Sequence, residues 1–163
     1  MVFLASSLNR LKEAEPLAAR LDFNDKGTAL MTATVYYLDP DSLRLVPALR
    51  EIPADGGRSG MARDLVDQLT VAAPEGQAAL PEGTRLLHFF ETDQGTAVLD
   101  FNAEIADVAG TGILGERLRL DALTRTLCDN LHGIDRVQLL VYGQPMTRWG
   151  NHLDLEATLE TAP

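Results

Sequence analysis

The stretch Thr32-Ala33-Thr34-Val35-Tyr36-Tyr37-Leu38-Asp39-Pro40-Asp41-Ser42 contains the first signal that decides the fold. Residues 32–38 are rich in β-branched and aromatic side chains, which is typical of a strand, and residues 39–42 carry the side chains of a turn. The run from Leu43 to Ile52 returns to a strand pattern, so the two runs predict a β-hairpin. Pro47 interrupts the second run and cannot donate a backbone hydrogen bond. That strand should therefore lie at a sheet edge or contain a bulge.

Two helices and further strands are expected after the hairpin. Ser59 can cap a helix over 59–73, and a second helix is expected near 115–132, each with one apolar stripe. Strands are expected at 85–91, 96–101 and 136–142, with a short last strand at 146–149. The strand over 136–142 is apolar on both faces and is expected to be central. The order β-β-α-β-β-α-β-(β) predicts an α/β domain of the α+β type, with both helices packed on one face of a mixed or antiparallel sheet.

The chain divides into three parts. Residues 1–29 are expected to form a helical arm or linker, because Leu4, Leu8 and Leu11 share a helical face before Pro16 interrupts the pattern. Residues 30–158 are expected to form one compact domain, and residues 159–163 a C-terminal tail. A length of 163 residues fits one domain of this kind.

Composition argues against several classes of partner. The net charge is −10, so nucleic acid and anionic membrane surfaces would be repelled. No run of 18 apolar residues occurs, so no direct membrane insertion is expected, and no signal-peptide pattern is present. The single cysteine, Cys128, cannot form a disulfide within one chain.

The candidate chemical groups do not form a catalytic pattern, so we expect no enzyme activity. Cys128 and His132 are four residues apart, but two ligands do not make a zinc site. His88 is expected to be a hydrogen-bonded core or edge histidine, and His152 a solvated or capping side chain. Asp100 and Glu104 could face a cleft as an acid/base pair, and this pair supports the less favoured hydrolase hypothesis.

A glycine pattern also fails to predict a cofactor. Gly110, Gly112 and Gly115 reproduce the dinucleotide-binding spacing, but the preceding strand ends too far away for the tight strand-to-helix turn. We therefore expect no metal and no cofactor.

The strand and turn segments together resemble the GerM domain family of sporulation and spore germination. The matching stretches, which span about residues 32–156, are Val35–Leu38, Leu45–Pro47, Arg50–Pro53, Pro81–Thr84, Gly95–Phe101, Val137–Pro145 and Gly150–Leu155. The resemblance implies a bacterial, extracytoplasmic or membrane-anchored protein that binds or scaffolds other proteins of the cell envelope. An anchor would then belong to a segment absent from this chain, and a cytoplasmic location stays open as the alternative.

The leading hypothesis is therefore a non-catalytic, envelope-associated interaction module with a protein partner. Tyr142, Met146, Arg148 and Trp149 surround a Gly-Gln-Pro turn and belong mostly to the residue types enriched in interface cores, so they form the candidate partner surface. The alternative for Trp149 is a plug at the end of the sheet core. A module that binds a small ligand, such as a cell-wall sugar, through Trp149, Tyr142 and His152 is the alternative function. The sequence does not fix the oligomeric state.

Overall fold

The computed structural model describes residues 22–23, 27–108, 112–155 and 159–160. The two α-helices are α1 (Gly57–Leu69) and α2 (Gly112–Asn130), and a 3-10 turn covers Ala103–Ala106. The strands are β1 (Asp22–Phe23), β2 (Ala29–Asp39), β3 (Arg44–Pro53), β4 (Leu86–Glu91), β5 (Thr96–Phe101), β6 (Arg136–Val141), β7 (Gln144–Pro145), β8 (Arg148–Trp149), β9 (Leu153–Asp154) and β10 (Leu159–Glu160).

Both ends of the chain contribute strands where the sequence predicted an arm and a tail. Most of the arm predicted over 1–29 lies outside the described residues, but β1 pairs with β2 through Phe23 and Ala29. At the other end, Leu159 of β10 pairs with Val137 of β6. These strands of two residues are too short to carry a readable alternating pattern, which is why the sequence did not reveal them.

The first sheet has the strand order β1-β2-β3, and β2 and β3 form the predicted hairpin. The N–H of Ala54 donates to the carbonyl of Ala29 at 2.8 Å, so these two residues form a hydrogen-bonded pair. In an antiparallel ladder such pairs alternate with pairs that are not hydrogen-bonded. Pro47 and Pro53 belong to the pairs that are not hydrogen-bonded, so their backbone nitrogens point away from β2. The prediction that Pro47 marks an edge strand is confirmed, since β3 ends the sheet.

The opposite edge of β2 is covered by side chains of α2. The Asn130 amide accepts a hydrogen bond from Thr34 N–H at 3.0 Å and donates one to Thr34 C=O at 2.7 Å. One amide side chain therefore replaces a strand partner at this residue. The Tyr36 N–H donates to the hydroxyl of Thr126 at 3.1 Å, and Leu38 exchanges two backbone hydrogen bonds with Gln77.

The second sheet has the order β10-β6-β5-β4, with β7 also paired to β6. β5 and β6 run parallel and the other pairs are antiparallel, so the sheet is mixed. Its burial alternates along β6: Val137 and Leu139 are buried, whereas Gln138 between them is exposed. The prediction that this strand is central is confirmed, since β6 lies between β10 and β5, but Gln138 interrupts its apolar run on the face of the sheet that is not covered.

Helix α1 begins at Gly57, two residues before the predicted cap. Its N-cap residue is Gly56, no side chain caps it, and Ser59 lies within the first turn. Gly57 has a positive φ of 60°, and Gly60 lies so close to Gly56 that a Cβ on Gly56 would meet the Gly60 Cα at 2.9 Å. The helix therefore starts at a glycine with a positive φ, without a side-chain cap, and its first turn is closed by the Gly60 N–H bond to Gly56 C=O at 3.0 Å.

The α+β class with two helices is confirmed, but the described strands form two main sheets and a separate β8–β9 pair in place of the single predicted sheet. The two helices contact each other; α1 packs on β2, β3 and β4, while α2 packs on β2, β3, β6 and β9. Their buried apolar side chains close the core between the two sheets: Ala62, Leu65, Val66 and Leu69 from α1, and Leu120, Ala122, Leu123 and Leu127 from α2. None of the described helices is both long enough and apolar enough to span a membrane.

Candidate partner-binding site

The four residues predicted to form a partner surface separate into two groups. Tyr142 is 63% exposed and Arg148 is exposed, whereas Trp149 is 0% exposed and Met146 is 8% exposed. Trp149 is one of the largest fully buried side chains among the described residues. Trp149 and Met146 are therefore core residues in this chain, and the plug alternative describes Trp149. Of the three side chains predicted for sugar binding, Trp149 is buried, whereas Tyr142 and His152 are exposed.

Burial of these two residues follows from the short strands at the end of the domain. Met146 N–H donates to Leu139 C=O at 2.9 Å, and Trp149 pairs with Leu153 across β8 and β9. Arg148 points the other way, and its guanidinium donates to Asn151 C=O at 3.0 Å. Adjacent residues of a strand face opposite sides, which explains why Arg148 is exposed beside a buried Trp149.

Tyr142 occupies an unusual backbone conformation. The β6–β7 hairpin closes at Val141 and Gln144, so its two-residue loop is Tyr142-Gly143. The φ angles of these residues are 48° and 76°, and two successive positive values are what a type I′ turn requires. Asn or Gly is the usual residue at the first position, so an exposed tyrosine there carries conformational strain.

An uncovered face of the second sheet lies beside this turn. We call it the open face and define it by His88, Phe90, Val98, Gln138 and Leu140, which alternate with the buried residues of the same strands. The pairing register puts Phe90, Val98 and Gln138 in one row across β4, β5 and β6. Phe90 is 58% exposed and Val98 and Leu140 are half-buried, so the centre of this face is apolar and open to solvent.

A histidine–aspartate pair links the open face to the Tyr142 turn. Asp100 is buried, its Oδ1 accepts the Gly143 N–H at 2.7 Å, and its Oδ2 lies 3.1 Å from Nδ1 of His88. The His88 ring stacks on Phe90 with the ring centroids 6.3 Å apart. Asp100 thus fixes the turn and the imidazole together. His88 is hydrogen-bonded on the edge strand β4 and exposed to solvent.

A second polar cluster, which the sequence analysis missed, holds the loop after β8. The carboxylate of Glu116 is completely buried on α2 and accepts hydrogen bonds from the N–H groups of Asn151 and His152, both at 3.0 Å. Nδ1 of His152 lies 2.9 Å from the same carboxylate and donates to it. A Cβ on Gly150 would overlap the Glu116 carboxyl group. The pairing of a helix glutamate with this glycine loop has no signal in the local sequence pattern.

The pKa of Glu116 reflects two opposing influences. Burial raises the pKa of the carboxyl group, but the hydrogen bonds from Asn151 and His152 and the nearby imidazole outweigh it, so the pKa lies below its ordinary value. The carboxylate is therefore ionised and acts as a fixed acceptor for the loop.

The groups considered for catalysis or metal binding have other contacts. Asp100 holds His88 and Gly143, whereas Glu104 is exposed on the 3-10 turn with its side chain near Gly83. Burial, followed by the charges of Asp129 and Asp135, raises the pKa of the Cys128 thiol to about 11, which makes it a poor nucleophile. Across the described ranges, no three or more His, Cys, Asp or Glu side chains are grouped so that they could hold a metal ion.

The glycines with dinucleotide-binding spacing lie in a different context from the one the motif needs. The 3-10 turn at Ala103–Ala106 separates β5 from α2, and Gly115 lies inside the helix. The tight turn between strand and helix that cradles a pyrophosphate therefore does not form.

Comparison with known proteins identifies the family. The family model for Germane, described as sporulation and spore germination, matches residues 34–147, which is most of the chain. The chain belongs to the Germane family. The match includes β3, the second half of β2, the open face and Tyr142, and it ends before Arg148 and Trp149. No curated protein matches the chain.

Solved structures support the same fold for this Germane-family chain. It is similar to the tandem GerMN domains of the sporulation protein GerM from Bacillus subtilis, with a TM-score of 0.65 and 19% identity over 80% of this chain and 46% of that one. The first GerMN domain of GerM alone gives a TM-score of 0.61 at 19% identity, covering 80% of this chain and 97% of that one. A putative lipoprotein from Clostridium perfringens gives 0.53 at 18% identity, covering 80% and 87% of the two chains.

These structural similarities show that the chain shares its fold with the GerMN domains and the lipoprotein. The chain spans less than half of the tandem GerM structure and nearly all of the single GerMN domain, so it corresponds to one domain of that protein. The identities are below one fifth, and at that level the side chains that carry a function are read from this chain itself.

Proposed function

We propose that this Germane-family chain is a non-catalytic protein-interaction or scaffolding module of the bacterial cell envelope. We further propose that it contacts its protein partner through the open face and Tyr142. The observation that carries this proposal is the exposed, strained Tyr142 at the end of an uncovered apolar sheet face. Strained residues concentrate at functional sites, and Tyr142 differs from Leu43, which also has a positive φ, in lying beside this exposed apolar face.

The composition of the surface supports protein contact. Phe90 and Tyr142 are aromatic, and Val98 and Leu140 add apolar area between them on neighbouring strands. Interface centres favour aromatic side chains and are surrounded by polar groups, which His88 and Gln138 supply here. The Asp100 carboxylate holds both ends of the surface, so little ordering would be needed on binding.

The envelope location is proposed from the relatives. One similar structure is a putative lipoprotein and another belongs to a sporulation protein. An extracytoplasmic or membrane-anchored location for this chain would place the open face among other envelope proteins.

Site-specific photo-crosslinking in the native host tests the partner surface. A photoreactive phenylalanine analogue replaces Phe90 in one strain and Val71, which is also exposed at 62%, in a control strain. We expect a discrete crosslinked protein, recovered with the envelope fraction, from the position of Phe90 and none from the position of Val71. Equal crosslinking at both positions, or no adduct at Phe90, would refute the surface assignment.

A matched pair of substitutions then separates binding from folding. Tyr142→Asn relaxes a positive φ and should raise the unfolding free energy by about 1 kcal/mol while abolishing the crosslink at Phe90. Leu43→Asn is the control, because Leu43 also has a positive φ, 52°, and is 55% exposed on the other hairpin. Leu43→Asn should stabilise similarly and leave the crosslink intact. A crosslink that survives Tyr142→Asn would contradict the role of Tyr142.

A further inference from the structure

A cleft on another side of the domain contains Arg119, whose guanidinium has no carboxylate within ion-pair distance among the residues that the structure describes. The cleft has a volume of about 340 Å³ and lies between the loop before β4, the segment after the 3-10 turn, and α2. Its lining residues are Gln77, Ala78, Leu80, Pro81, Asp107, Val108 and Arg119. A volume of a few hundred cubic ångströms with mixed apolar and charged walls is typical of small-ligand sites.

Arg119 uses only part of its hydrogen-bonding capacity. Its Nη1 donates to the carbonyls of Ala78 and Ala79 at 2.9 Å and 3.0 Å. Its Nε is buried and has no hydrogen-bond partner among the residues that the structure describes. Leaving a buried N–H without an acceptor is costly, and the cost is larger for a charged group.

The charge of Arg119 is also unbalanced. Within the described ranges no carboxylate lies within ion-pair distance of its guanidinium, although Asp107 lines the same cleft. Burial without a compensating acid lowers the pKa of Arg119 from its ordinary value, which shows that the cation is partly desolvated. The Nη2 group of Arg119 makes no hydrogen bond to a described residue and is not among the buried unpaired atoms, so it is the donor that a carboxylate in the cleft can reach.

We propose that this cleft is a binding site for a carboxylate, contributed by a small organic acid or by the free C-terminus of a peptide, with Arg119 as the residue that pairs with it. Leu80, Pro81 and Val108 supply apolar walls for the group that carries the carboxylate. The carbonyl bonds made by Nη1 hold the guanidinium in place before the ligand arrives. The proposal is independent of the open face, which lies on different residues.

Amide chemical shifts measured by NMR in carboxylate-free buffer test the site with three probes. The probes are acetate, N-acetyl-glycylglycine, and N-acetyl-glycylglycine amide, which differs from the second probe only in lacking the charge. We expect saturable shifts at Gln77, Ala78 and Arg119 with N-acetyl-glycylglycine and none with its amide. Acetate binding as tightly as the peptide would identify a small acid as the source, and tighter peptide binding would identify a C-terminus. Equal binding of the amide, or no saturable shift up to about 10 mM, would overturn the proposal.

Two variants make the result specific. Asp107→Asn removes an exposed negative charge from the cleft and should tighten binding of N-acetyl-glycylglycine several-fold at low salt. Arg119→Lys keeps the positive charge but loses the planar fork, so binding should weaken about tenfold or more. Arg119 also donates to two backbone carbonyls, so its loss could unfold the domain. The binding affinity of this variant is therefore interpreted only if its amide spectrum shows a folded domain. If it does not fold, the Asp107→Asn result decides, and weaker binding there would refute the assignment.

Discussion

At the scale of single residues, Glu116 shows how a buried charge can hold a surface loop. Its carboxylate accepts hydrogen bonds from two backbone N–H groups and one imidazole of the loop at 151–152. Gly150 leaves the space that the carboxyl group occupies. An uncharged acceptor of the same shape would satisfy fewer of these donors, so the ionised form is the one that stabilises the loop.

We expect the domain to become less stable as the pH is lowered, because the Glu116 carboxylate becomes protonated. The pKa of Glu116 is lowered in the folded chain, so its contribution is present above the ordinary glutamate pKa and is lost as the pH falls through the folded pKa. Glu116→Gln should therefore lower the melting temperature at about pH 7 and flatten its decline between about pH 5 and about pH 3.

Thermal denaturation across this pH range measures the effect. Glu104→Gln, at an exposed glutamate, is the matched control and should leave both quantities close to those of the unmodified chain. An equally steep decline in Glu116→Gln would show that other carboxyl groups account for the acid sensitivity.

At the scale of elements, α2 completes the first sheet. Asn130 bonds both the N–H and the C=O of Thr34, and Thr126 bonds the N–H of Tyr36. The other side of that sheet ends at β3, where Pro47 and Pro53 occupy outward-facing positions and cannot donate to an added strand. One edge is thus satisfied by a helix and the other is protected by proline.

Removing the Asn130 amide should be costly. Asn130→Ala leaves the N–H and C=O of Thr34 without partners in a half-buried position, and we expect a loss of about 2–4 kcal/mol in unfolding free energy. Asp121→Ala is the control on the same helix, because it breaks a partly exposed ion pair with Arg117 that should be worth less than about 1 kcal/mol. Denaturant titration gives both values, and similar losses in the two variants would contradict the edge-completion role.

The elements also show which features a sequence can reveal. The hairpin β2–β3 and the strand Thr96–Phe101 were predictable because alternation and turn residues act over a few neighbouring positions. The start of α1 was misassigned because the helix begins at Gly57, whose positive φ leaves no sequence signal like that of a capping serine, and Ser59 lies in the first turn. Two of the four candidate surface residues are buried, since composition identifies residue types suited to an interface while burial depends on packing. Trp149 fits an interface by type, yet the β8–β9 pair turns it inward.

At the scale of the whole molecule, one core joins the two sheets and both helices. Leu127 of α2 and Trp149 of β8 are both completely buried in it, although they belong to different parts of the chain. The indole N–H of Trp149 has no hydrogen-bond partner among the described residues, so the side chain contributes through its volume and apolar surface.

Truncating either side chain should destabilise the whole domain in one transition. We expect Leu127→Ala to cost about 2–5 kcal/mol and Trp149→Ala about 3–5 kcal/mol, with Trp149→Phe costing clearly less because it keeps most of the volume and loses an unsatisfied donor. Ile113→Ala, at a residue that is 60% exposed, should change stability little. Denaturant unfolding checks the series. An unchanged midpoint for Leu127→Ala or Trp149→Ala would remove that residue from the core.

The bonds between Asn130 and Thr34 also have a consequence for synthesis. The two residues are 96 positions apart, so at about 5–20 residues per second the ribosome needs several seconds or more to make the segment between them. Throughout that interval one edge of the nascent hairpin is protected by its own prolines. The β2 edge lacks the hydrogen-bond partners that α2 supplies later. The exposed edge is the one that a neighbouring nascent chain could pair with, so the time of greatest risk for misassembly precedes the emergence of α2.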